Sequence, residues 1–123
     1  MNKIRKVILN DRNGKGYKYI FAEVTEKDGT VFEIIRGYAD QLNHSGIVIR
    51  TENEVRALYP NAKVECKGGG RVIFPEPKTL VVYGSSLDYG YPPLDKVELI
   101  LRENFPELKV VVSNKIKLEE IEF

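Results

Sequence analysis

Apolar and polar positions along the chain fall into short blocks with two different periods. Val7-Ile8-Leu9 opens the first apolar block, and the turn formers from Asn10 to Gly16 close it. From Tyr17 to Glu26 the chain carries Tyr, Ile, Phe and Val in partial alternation. Lys27-Asp28-Gly29 then supplies turn chemistry, and Thr30 to Arg36 is again β-branched and aromatic. Two such runs around a short glycine turn predict a β-hairpin. Further strands are predicted at Ala62 to Lys67, Arg71 to Phe74, Thr79 to Tyr83 and Leu108 to Val112. Gly68-Gly69-Gly70 reads as a loop between two of them, and Pro75-Glu76-Pro77 as a turn.

A helical period shows in two places. Pro92-Pro93 precede Leu94-Asp95, and Val97, Ile100, Leu101 and Phe105 then recur at i, i+3, i+4 and i+8 until Pro106 ends the pattern. Thr51-Glu52-Asn53-Glu54 has capping-box spacing ahead of Val55, Leu58 and Tyr59, which predicts a short helix stopped by Pro60. The run Gly46-Ile47-Val48-Ile49 just before it is β-branched and argues against helix there. Lys115 to Phe123 fits a tail strand, a frayed helix or a segment packed on a partner. Hairpins separated by two helices, rather than strict strand–helix alternation, predict an α+β fold with a mixed, mainly antiparallel sheet flanked by two helices.

Composition narrows the classes of function. A length of 123 residues suits one domain over 1–123, and 42% hydrophobic residues exclude a disordered tail. No run reaches the roughly 18 apolar residues of a membrane span, and the start is too weakly apolar for a signal peptide, so the expected location is cytoplasmic. Nineteen Lys and Arg against 18 Asp and Glu give a net charge of +1, which supplies no general field for nucleic acid. The seven tyrosines are scattered, with no basic aromatic motif to stack bases. One cysteine and one histidine cannot make an internal disulfide or a Cys/His zinc site, and no metal or cofactor is expected. The oligomeric state is left open.

Anion chemistry therefore has to come from local arrangement. Cys66-Lys67-Gly68-Gly69-Gly70-Arg71 joins free backbone N–H groups, that of Gly70 among them, to a planar guanidinium suited to phosphate or carboxylate. Gly84-Ser85-Ser86-Leu87-Asp88 is a second small-residue loop at a strand end, where Ser86 offers a hydroxyl or simply satisfies a turn. His44, the sole imidazole, is the natural general-base candidate. Lys18, Arg36 and Arg71 each sit in or beside a predicted strand, as solvated face residues or as cations sharing one pocket. Together they would balance a phosphoryl dianion and favour neutral His44. Neither a Gly-x-Ser-x-Gly elbow nor a Walker-type loop is present.

In order, Glu33-Ile34-Ile35-Arg36-Gly37-Tyr38, His44, Glu65-Cys66-Lys67-Gly68-Gly69-Gly70-Arg71 and Val82-Tyr83-Gly84-Ser85-Ser86 make the chain resemble the small protein phosphohistidine phosphatases of the Janus/Ocnus family. The resemblance runs from about Val7 to Val112. It implies a metal-independent phosphatase acting on a phosphorylated protein or peptide, with His44 as general base. It further implies substrate or phosphate contacts from Lys18, Arg36, Arg71 and the second loop at Ser86 and Asp88.

The chain departs from the family pattern at Gly46, where an aspartate is common, and at Asp88, where a small uncharged residue is usual. The segment from His44 to the glycines is also about two residues longer than in the animal enzymes. A carboxylate at position 88 is expected to oppose bound phosphate, and the β-branched run after Gly46 to weaken the support of His44. A noncatalytic phosphoprotein-binding module on the same fold is the competing expectation.

Overall fold

The computed structural model describes residues 4–123. Six strands form one mixed sheet: β1 (Val7–Leu9), β2 (Tyr17–Thr25), β3 (Val31–Gly37), β4 (Lys63–Glu76), β5 (Thr79–Tyr83) and β6 (Lys109–Val112). Their spatial order is β1-β3-β2-β4-β5-β6, with the three central pairings antiparallel and the two edge strands added parallel. Helix α1 (His44–Leu58) packs on one face and helix α2 (Leu94–Asn104) on the other. This is the α+β architecture that the alternation of hairpins and helices predicts.

Partial alternation in β2 now has a cause. Its odd positions, Tyr17, Tyr19 and Phe21, meet Val97, Ile100 and Leu101 of α2, while Ile20, Ala22 and Val24 meet Ile47 and Val55 of α1. A strand covered by a helix on each face is apolar on both, so period two is blurred. The hairpin after it closes through Glu26 and Thr30, with Gly29 at φ +90.

Two expectations are corrected. Helix α1 begins at His44, seven residues before the expected cap, and includes Gly46-Ile47-Val48-Ile49. Asn43 is the actual cap: its side-chain oxygen accepts from the Gly46 amide at 2.8 Å. Thr51 instead lies inside the helix, donating its hydroxyl to the Ile47 carbonyl. Burial of Ile47 outweighs the modest helix penalty of a β-branched residue. The departure at Gly46 therefore leaves the helix under His44 intact.

The second correction concerns the glycines, which form no loop. They lie inside β4, paired with β2 as Gly68 to Phe21, Gly69 to Ile20 and Gly70 to Tyr19. The register slips between Phe21 and Ala22, so that Cys66 opposes Ala22 while Gly68 opposes Phe21, and Lys67 is the extra residue of a bulge. Gly68 takes φ +143 there, a value that favours glycine. The chain then continues as strand to Glu76, and the segment after Lys115 holds one short 3-10 turn, Leu118–Glu120.

Candidate active site

The bulge decides which way β4 points its side chains. Before it, Val64 and Cys66 face α1; one inserted residue reverses the alternation, so Gly69 and Arg71 face α1 after it, while Val72 and Phe74 face α2. Arg71 consequently stands directly opposite Lys18 of β2, on the same face. Two cations in that position repel. Among the described residues neither has a carboxylate within ion-pair distance, and Arg71 reaches only the Gly16 carbonyl, at 3.5 Å.

His44 enters from the first turn of α1. Its Nε2 lies 2.9 Å from the Gly70 carbonyl, a group that only accepts, so Nε2 carries the hydrogen and donates it. In the neutral ring Nδ1 is then the nitrogen with the free lone pair. Gly69 makes the approach possible. A side chain there would place Cβ 2.7 Å from His44 Cδ2 and 2.6 Å from the Tyr19 carbonyl. Gly69 thus serves close packing of an imidazole against a strand.

The pKa of His44 is held below its ordinary value. Burial is the largest cause, since it disfavours the charged ring; Lys18 and Arg71 also lower it, against the Gly70 hydrogen bond and Asp88, which raise it.

The loop after β5 completes one wall. Ser86 and Gly90 exchange two backbone hydrogen bonds, at 3.1 and 2.8 Å, and the Gly69 amide donates to the Gly90 carbonyl at 3.1 Å. Ser86 is buried, and its Oγ accepts from the Tyr89 amide. Its hydroxyl therefore satisfies a turn, and Ser85, Leu87 and Asp88 line the cleft instead. The cleft encloses about 300 Å³ between Lys18, Asn43, His44, Arg71, Ser85, Leu87 and Asp88.

Four of the residues singled out from sequence thus share this cleft: Lys18, His44, Arg71 and Asp88. Gly70 supplies the carbonyl that fixes the imidazole. Arg36 stands apart. It is fully buried beneath α1, where Nε and Nη2 donate to the two carboxylate oxygens of Glu54 at 2.8 and 2.9 Å. Nη2 also donates to the Arg5 carbonyl, and Nη1 to that of Ile35. Every strong contact of this guanidinium is internal, so it is a structural cation. Asn43 and Ser85 were not singled out; Asn43 in a cap position followed by His44 was the available signal. Among the described residues, no group of three or more His, Cys, Asp or Glu side chains converges as metal ligands would.

Fold and cleft define a small α+β domain with a neutral imidazole and two uncompensated cations at one end of its sheet. The pattern of the Janus/Ocnus family (Ocnus) matches residues 1–109, and the chain belongs to that family. It is 36% identical over 126 residues to the sex-regulated protein janus-A of Drosophila pseudoobscura pseudoobscura, covering 97% of this chain and 76% of that protein. With the sex-regulated protein janus-A of Drosophila melanogaster it shares 32% identity over 100 residues, covering 80% of this chain and 73% of the relative.

Proposed function

We propose that this protein is a phosphohistidine phosphatase that releases phosphate from a phosphorylated protein or peptide without a metal. The observation that carries this reading is the cross-strand pairing of Lys18 with Arg71 in the cleft that His44 lines. Two half-buried like charges side by side destabilise the sheet until an anion sits between them, and a phosphoryl dianion matches their summed charge.

In this reading His44 Nδ1 takes a proton from water as its oxygen attacks phosphorus. The P–N bond breaks with its electron pair passing to nitrogen, and Lys18 and Arg71 neutralise charge on the phosphoryl oxygens. The lowered His44 pKa keeps the ring in the form that can accept a proton. Purified protein incubated with a phosphohistidine peptide should release inorganic phosphate, and His44→Ala should release it far more slowly. Binding of the peptide without release would favour the noncatalytic module, a reading to which the Asp88 carboxylate in the cleft lends weight.

A further inference from the structure

We infer that Asp88 selects the substrate by the charge on its leaving group, making the cleft specific for phosphoramidates whose nitrogen base carries a proton. The inference rests on the reading of the cleft as a phosphoryl site.

Asp88 is an exposed residue at the rim of that site. It lines the cleft with both cations, yet among the described residues it forms no ion pair with either. Its backbone is fixed, because the turn is closed by the Ser86–Gly90 pair and the Ser86 Oγ contact and anchored to β4 through Gly69. The cleft therefore presents two positive groups and, beside them, one negative group that neither neutralises. A phosphate ester is anionic only and gains nothing from the carboxylate. A phosphoramidate has its dianion joined to a nitrogen base that can hold a proton, and this pattern complements the cleft at both ends.

The same placement bears on bond breaking. Water attack forms the O–P bond, gives one proton to His44 and sends the P–N pair to the ring nitrogen. A phosphohistidine ring protonated on its other nitrogen departs as neutral imidazole; an unprotonated ring departs as an anion, a much poorer leaving group. A carboxylate accepting from that N–H favours the protonated ring, since an adjacent opposite charge stabilises the charged form. Asp88 thus offsets its repulsion of the phosphoryl group by stabilising the cation beside it.

Calorimetric titration of the full chain with methylphosphonate, aminomethylphosphonate and inorganic phosphate, at a pH where both phosphonates are dianions, separates the possibilities, since the first two then differ by one ammonium group. The wild type is expected to prefer aminomethylphosphonate by roughly fivefold, the size of a partly screened ion pair. Asp88→Asn should lose that preference, bind inorganic phosphate more tightly and cleave phosphohistidine peptide more slowly, while Asp88→Glu keeps part of the preference. A preference that survives in Asp88→Asn, equal binding of the two phosphonates by the wild type, or faster phosphohistidine cleavage by Asp88→Asn overturns the role of Asp88 alone. Failure of the wild type to bind any of the three probes overturns the phosphoryl-site reading, and this inference with it.

Discussion

The imidazole of His44 donates from Nε2 to the carbonyl of Gly70, 26 positions away and 2.9 Å distant, and this bond sets which ring nitrogen is free to work. It joins the first turn of a helix to the middle of a central strand, so the base is held by two rigid elements. His44→Ala should lower phosphohistidine turnover by about 10² to 10⁴, the usual range for a positioned general base, with phosphate binding retained. Phosphate release and titration calorimetry on the same preparation check both halves.

The bond depends on the absence of a side chain at position 69. Gly69→Ala would bring Cβ within 2.7 Å of His44 Cδ2 and 2.6 Å of a backbone oxygen. A displaced ring and a loss of about 1 to 3 kcal/mol are expected, as for other overpacked sites. Urea unfolding measures the stability cost. The chemical shift of the single histidine reports whether the ring has moved.

Removing Lys18 or Arg71 should weaken phosphate binding roughly tenfold to a hundredfold each, the range for a charge-assisted hydrogen bond. Lys18→Met in the absence of phosphate should leave stability unchanged or raise it by a few tenths of a kcal/mol, because it relieves a like-charge pair across the sheet. Lower stability in that variant would contradict the electrostatic account.

Turnover should climb with pH through a pKa below 6.5, because burial and the two cations lower that of His44 in the folded protein. Lys18→Met and Arg71→Met should move this pKa upward. Between the folded value and 6.5 the unfolded chain binds more protons than the native one, so stability rises with pH there and falls as the pH drops through that window. His44→Ala should remove this component from the pH dependence of unfolding. NMR titration of the lone imidazole reads the pKa directly.

Arg36 gives a prediction of a different kind. Glu54→Ala leaves a fully buried guanidinium without its carboxylate, for an expected loss of about 3 to 5 kcal/mol. Phosphate affinity of the folded fraction should hold, since Arg36 and Glu54 lie outside the cleft.

Much of this was legible before the fold was known. Helix α2 was readable because its apolar stripe recurs at helical spacing and proline brackets it at each end, and the β2–β3 hairpin because turn chemistry divides two strand-like runs. The start of α1 was misread. Thr51 and Glu54 satisfy the capping-box spacing, while their actual partners are Ile47 in the preceding turn and Arg36 on the sheet. The glycines were misread for a related reason: flexibility suggests a turn unless the strands on both sides are known to close on the segment.

Local spacing and residue chemistry thus determined the strands other than the course of β4 through its glycines, the second helix, the α+β class and three residues that share the cleft, Lys18, His44 and Arg71, while Asp88 came from the resemblance to the family. Tertiary structure decided how they are used. One extra residue at Lys67 turns Arg71 toward Lys18, and Gly69 admits His44 to the Gly70 carbonyl. Burial beneath α1 withdraws Arg36 from solvent. Each of these depends on which residues far apart in the chain become neighbours, and local periodicity cannot encode a bulge phase, a steric gap or the partner of a buried charge.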